Sequence, residues 1–171
     1  MTVAMTYSVR VSAPSDADAV SSVLAASYST LLTSHYEKTL LDRALPFMTK
    51  ANPKLLASGT YYLAQSLHGG IVGCGGWTPE HPETGDVLKG EAHIRHFATR
   101  PDWTRMGVAQ SIMERCCIDS KAQGIDKLLC YATLAAESFY RASGFKPIAS
   151  LDVLMGANMP FKTVMMQCDL Q

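Results

Sequence analysis

The chain has 171 residues, 15 basic and 15 acidic side chains, and 47% hydrophobic residues. That length fits one domain spanning residues 1–171, which buries about two-thirds of its unfolded surface. A formal net charge of zero gives no overall field toward nucleic acid or an anionic membrane, and no apolar run approaches the ~20 residues of a membrane span.

In chain order, "YSVRVSA" (7–13) alternates and reads as a first strand. Pro14, Ser15 and Asp16 offer a helix start, followed by apolar positions Ala19, Val20, Val23, Leu24 and Tyr28. A second helical pattern puts Tyr36, Leu40, Leu41 and Leu45 on one face and ends near Pro46. "ANPKLLASG" supplies a short helical turn. "TYYLAQSL" and "GGIVGCGGWT" read as a hairpin turned at His68-Gly69-Gly70, and Pro79 to Gly90 as a solvated loop. "AHIRHFATR" is the next strand. A helix is expected from about Thr104 to Gln123, stopped by Gly124. "DKLLCYAT" is a strand, "AAESFYRASG" a short helix with Gly144 where a C-cap belongs, and "FKPIAS" and "KTVMMQCDL" are closing strands.

The cysteines are Cys74, Cys116, Cys117, Cys130 and Cys168. Their number is odd, two are adjacent, and most lie in apolar runs, a pattern of reduced thiols in a cytoplasmic protein. "MTVAMTYSVRV" has no basic segment followed by an apolar one, so no signal peptide is read.

The stretch "RPDWTRMGVAQSIM" places a glycine turn just before a helix. The first N–H groups of a helix lack internal partners. Gly107 has no side chain and Ala109 a small one, so an anion such as pyrophosphate can approach the backbone closely. Many strand–helix turns use glycine only for packing, and the turn by itself leaves both readings open.

A second constellation, "AAESFYRASGFKPI", lies downstream. Together the two motifs resemble the GNAT superfamily of acyl-CoA-dependent N-acetyltransferases. The family's Arg/Gln-x-x-Gly-x-Gly/Ala turn, preceded by a proline and an aromatic residue, is matched at Pro101, Trp103, Gly107 and Ala109, with Thr104 at the Arg/Gln position and Arg105 beside it. Its Asn-x-x-Ala-x-x-x-Tyr-x-x-x-Gly-Phe pattern is matched at Ala136, Tyr140, Gly144 and Phe145, with Thr133 at the Asn position. In element order the resemblance runs from Tyr7 to Leu170.

The resemblance implies an α/β (α+β) fold with a mixed, strongly twisted central sheet flanked by helices. Its fourth and fifth strands splay into a cleft for acetyl-CoA. Backbone groups of Phe97, Ala98 and Thr99 are then expected along the pantetheine and thioester. The amides of Arg105, Met106, Gly107, Val108, Ala109 and Gln110 are expected on the pyrophosphate, with Thr133 contributing a hydroxyl. Tyr140 matches the general acid that protonates the departing thiolate. His93 matches a base position, with His96 and Glu91 behind it, and strict alternation puts His93, Arg95, Phe97 and Thr99 on one face of their strand. The implied reaction is direct acetyl transfer to a primary amine of a small molecule or peptide, with no metal and no nucleic-acid or membrane partner. Homodimers are common in the family.

Two other readings stand beside it. A non-catalytic acyl-CoA-binding module would keep the fold and lose turnover, as Thr104 and Thr133 allow. A thiol enzyme would use Cys130, but an apolar strand favours an inert buried thiol there.

Overall fold

In the computed structural model, which describes residues 6–156 and 158–171, strands and helices alternate as the sequence pattern implies. The first residues of the stretch read for a signal peptide lie outside the described residues. Strand β1 (Tyr7–Val11) leads through a 3-10 turn at Pro14–Asp16 into α1 (Ala17–Leu31). The Asp16 carboxylate fixes that entry: it accepts the Ala13 amide at 2.8 Å and the Arg10 guanidinium at 2.8 and 3.0 Å. Helix α2 (Lys38–Met48) and the single-turn α3 (Pro53–Leu56) precede the hairpin of β2 (Tyr61–Ser66) and β3 (Ile71–Thr78). Then come β4 (Glu91–Thr99), α4 (Val108–Ala122), β5 (Lys127–Thr133), α5 (Glu137–Ala142), β6 (Lys146–Met155) and β7 (Met159–Asp169).

Three boundaries differ from expectation. Helix α2 does not end at Pro46 but carries it in its last turn, where the missing N–H removes one bond near a frayed end. Helix α4 starts at Val108 rather than Thr104, because Arg105 and Gly107 both take positive φ (63° and 80°) and hold the backbone out of helical geometry. Strands β6 and β7 run on to a turn at Gly156 and Asn158, so the closing hairpin is longer than the expected segments. Most of β6 is exposed, and the part beyond Ser150, Leu151 to Met155, lies outside the expected strand although it is largely apolar.

The sheet order is β1-β2-β3-β4-β5-β7-β6. Every neighbouring pair is antiparallel except β4 with β5. Alternation on β2 divides the core. Tyr62 and Ala64 face α4 and join Val108, Ile112 and Cys116, while Tyr61 and Leu63 face α1 and α3 and join Val23, Leu24 and Leu55. Each fully buried Val, Leu or Ile contributes about 1.5–3 kcal/mol through burial, so both helical layers are firmly held to the sheet. A third cluster packs Leu32, Tyr36, Leu41 and Met48 against Phe161 of β7. Among the described residues no helix is long and apolar enough to cross a membrane.

Candidate active site

The β4–β5 pairing covers only Glu91–His93 against Lys127–Leu129. Beyond it the strands part, and β4 from Ile94 onward has no register with β5. The gap opens into a cleft of about 1270 Å³ walled by β4, the start of α4, β5, α5 and the end of α1. That is room for more than one small ligand.

A bulge in β4 shapes the gap. Against β3 the register runs Trp77 with Ile94 and Gly76 with Arg95, then Cys74 with Ala98. Three steps on β4 match two on β3, and His96 takes φ 46°. The extra residue inverts the alternation beyond it. Phe97 therefore packs with Tyr140 and Val108 on the α4 side, and Ala98 turns to the α1 side. The expectation that Phe97 shares a face with His93 is corrected by this bulge. Two phenols serve the displaced carbonyls: Tyr61 donates to His96 O at 2.9 Å and Tyr28 to Phe97 O at 3.0 Å. Gly75 lets the shifted ring lie over β3, since a Cβ there would sit 2.5 Å from the Phe97 ring.

At the start of α4, Ser111 N–H reaches Gly107 O at 2.9 Å, the first bond of the helix. The amides of Val108, Ala109 and Gln110 precede it and have no helical carbonyl to meet. With Gly107 and Arg105 both left-handed, the turn curls these donors toward the cleft, the kind of concavity that accepts an anion. Arg105, Gly107, Val108, Ala109 and Gln110 line the cleft, as does Thr133. Met106 is 44% exposed and lies outside the wall. Thr104 also lines the cleft, but its hydroxyl donates to Pro101 O at 3.0 Å and so closes the preceding turn.

Tyr140 sits where the two walls meet. Its ring is edge-on to Phe97, Phe139 and Phe145, at 6.4, 5.2 and 5.4 Å between centroids. Burial pushes its phenol well above the usual range, so the hydroxyl keeps its proton at any physiological pH. Cys130 also lines the cleft, but burial raises its thiol to about 12, which leaves it inert as a nucleophile.

The histidines are arranged differently from expectation. His93 is 5% exposed and does not line the cleft. Its ring packs edge-on behind His81 at 5.0 Å, and its Nδ1 is buried without a partner. Burial, then His81 and Arg95, lower it to about 4. A base must reach its proton, and His93 as placed here stands behind His81 rather than on the cleft wall. Glu91 pairs with Lys127 at 3.8 Å, away from the cleft. His96 does line the cleft, and burial followed by Arg95 lowers it to about 4.

One polar residue of the wall, Tyr131, went unnoticed in the sequence, and a histidine of the loop after β3 supports it from behind. Tyr131 faces the cleft from β5, and His81 Nε2 lies 2.7 Å from its hydroxyl. Tyr131 was legible in principle, since Leu128, Cys130 and Ala132 form the core face and leave it on the opposite one. His81 comes from the loop after β3, where no periodicity marks position.

Residues 57–147 match the acetyltransferase (GNAT) domain family. A GCN5-related N-acetyltransferase from Rhodopseudomonas palustris superposes with a TM-score of 0.78 at 20% identity, covering 99% of each chain. The PaiA N-acetyltransferase of Thermoplasma acidophilum, solved with coenzyme A, gives 0.70 at 13% identity over 96% of this chain and 99% of its own. A ribosomal-protein alanine N-acetyltransferase from Escherichia coli gives 0.65 at 13% identity over 97% and 95%. No curated protein sequence matches. With a family match across more than half its length and a splayed sheet of the same architecture, the chain belongs to the GNAT acetyltransferases.

Proposed function

We propose that the protein transfers an acetyl group from acetyl-CoA to a primary amine. The observation that carries this reading is the junction of three features in one cleft: the open edge of β4, the left-handed turn before α4, and Tyr140. The residues fit the cosubstrate. Amides of Val108, Ala109 and Gln110 suit a pyrophosphate, and the helix dipole adds about 0.3–1 kcal/mol there. The unpaired edge from Phe97 to Thr99 suits the amide-bearing pantetheine arm. The Phe97 carbonyl already accepts Tyr28, so its second lone pair is the one available.

Bound acetyl-CoA supplies an activated acyl group; the chain moves protons. As the amine nitrogen bonds to the acetyl carbon and the carbon–sulfur bond breaks, nitrogen gives up a proton and sulfur gains one. Tyr140 donates to sulfur and regains its proton from solvent. His96, neutral above pH ~6 because its titration lies near 4, accepts the proton from nitrogen and passes it to water. A weakly basic imidazole suffices, because bonding to the acyl carbon acidifies the nitrogen sharply. Buried, unpaired cysteines, with Cys74 raised to about 12, accord with a reducing cytoplasm.

Tyr140→Phe tests the acid. The expected result is a kcat lowered about a hundredfold, with acetyl-CoA affinity and melting temperature nearly unchanged. Full turnover in that variant removes the acid role. A lowered melting temperature with intact turnover makes Tyr140 a packing residue.

A further inference from the structure

The outer end of the cleft has a composition of its own. Its wall is Leu31 at the end of α1, Phe47 and Met48 of α2, and Met155 and Phe161 of the closing hairpin. Phe47 is 57% exposed and Leu31 40%, an apolar surface left wet at the mouth of a site. The hydroxyls nearby are already engaged. Tyr28 donates to Phe97 O, Thr163 to Leu151 O at 3.0 Å, and Ser34 pairs with His35 Nδ1 at 3.1 Å. An extended peptide seeks main-chain partners, and this wall offers it few.

Tyr131 and Glu83 share the same wall. His81 Nδ1 accepts the amides of Glu83 and Thr84 at 3.1 and 3.3 Å. That fixes the hydrogen of the neutral ring on Nε2, which donates to the Tyr131 oxygen. The phenol is thereby oriented, with one lone pair and its own O–H left for a ligand. Burial, and after it the Glu83 carboxylate, push Tyr131 upward, so the two groups sense each other. Besides His35 and His96, the charged residues described on the cleft wall are Glu83, Arg105 and Glu114. Arg105 belongs to the turn before α4, and His35 Nδ1 is engaged by the Ser34 hydroxyl. A carboxylate carried into the outer end therefore meets Glu83 and no lysine or arginine.

We infer that the acceptor is a small apolar primary amine without a carboxylate, an aryl- or alkylamine. Its nitrogen is held by Tyr131 and Glu83, and its hydrocarbon body lies on Phe47, Leu31 and Met155. His81 is a positioning residue that acts through Tyr131. This inference rests on the acetyl-transfer reading above.

Thiol release from acetyl-CoA is measured with phenylethylamine, hexylamine, ethylamine, phenylalanine and a short peptide with an N-terminal Phe. Acetyl-CoA binding is followed in parallel by thermal shift. Phenylethylamine should exceed phenylalanine about fivefold in kcat/KM, because the added carboxylate is brought beside the exposed Glu83 without a lysine or arginine to pair it. Phe47→Ala should lower the preference for phenylethylamine over ethylamine about tenfold. Glu83→Gln should raise KM for phenylethylamine about two- to fivefold, as fits an exposed charge. Both side chains are exposed, so both variants should fold. Equal or better use of phenylalanine or the peptide overturns the inference, as does an unchanged preference in Phe47→Ala. Acetyl-CoA binding without turnover of either apolar amine overturns it while leaving the cosubstrate site standing. Loss of acetyl-CoA binding itself counts against the acetyl-transfer reading instead.

Discussion

The two ends of the cleft are built from different material. The inner end, at the start of α4, is main chain: amide groups aimed by two left-handed residues and an unpaired strand edge. The outer end is side chain: Phe47, Met155, Tyr131 and Glu83, brought from four separate segments. Backbone recognition is tolerant of sequence as long as φ and ψ survive, so on the proposed reading a threonine at position 104 leaves the inner end intact. Side-chain recognition changes with each substitution. A family can therefore keep one end and vary the other, holding the acyl donor constant while the acceptor differs.

Three experiments press on that contrast. The largest effect should come from Gly107→Glu, which places a carboxylate where anionic phosphate is proposed to sit and forces a side chain into φ 80°. Like charges so juxtaposed cost several kcal/mol, so CoA affinity should fall about a thousandfold in calorimetry. A Cβ there meets only the Tyr7 hydroxyl at 3.5 Å, so bulk alone does not explain a loss. Normal CoA binding by a folded Gly107→Glu protein would show that the inner end is elsewhere.

A smaller effect separates the histidines from both ends. His93 and His96 titrate near 4 in the folded protein and near 6.5 when unfolded. Above pH 6.5 both states are neutral and stability is whole. As pH falls from 6.5 toward 4 the unfolded chain gains protons that the folded one refuses, and stability drops by at most about 1.4 kcal/mol per pH unit for each ring. His93→Gln should flatten the fall in melting temperature between pH 6.5 and 4.5, provided the amide is accommodated. An unchanged slope would show that His93 is not held neutral by its surroundings.

The smallest effect should come from Thr104→Ala. Thr104 lines the cleft, but its hydroxyl is given to Pro101 O, so stability should fall by about 0.5–1.5 kcal/mol with CoA affinity within about twofold. A tenfold loss of affinity would make Thr104 a direct ligand and blur the line between backbone and side-chain recognition.

Legibility in the sequence follows the same division. Gly107, Ala109, Tyr140 and Gly144 lie within two short segments, where local spacing encodes local geometry, and the element order followed from periodicity. What escaped was non-local. The bulge at His96 has no local mark: "HIRHFA" alternates smoothly, and the reversal of Phe97 depends on Gly75 of another strand and on phenols from α1 and β2. For the same reason His93, a sensible base by position, lies behind His81, a loop residue whose place is set by amides of Glu83 and Thr84. The Glu80–Asp86 stretch is solvated as read, yet its His81 and Glu83 bear on the cleft through Tyr131.

The join between β4 and β5 rests on three residue pairs, whereas β5 and β7 share seven. Mechanically the sheet is two leaves with a short seam. Other ties supplement it, among them Glu91 with Lys127 and His81 with Tyr131. Tyr36 is another: its hydroxyl donates to Lys162 O at 2.7 Å and accepts the Leu134 amide at 2.9 Å, which pins the helical layer to the β5–β7 leaf. A sheet torn along this line would part first at Ile94, where the rungs stop. On the proposed reading, an extended, amide-bearing guest lodged there would add rungs of its own, so that stiffness across the seam would become a property of the loaded protein rather than of the chain alone. The opening that admits a ligand and the weakness that would let the leaves drift apart are one geometric fact, and filling the cleft answers both.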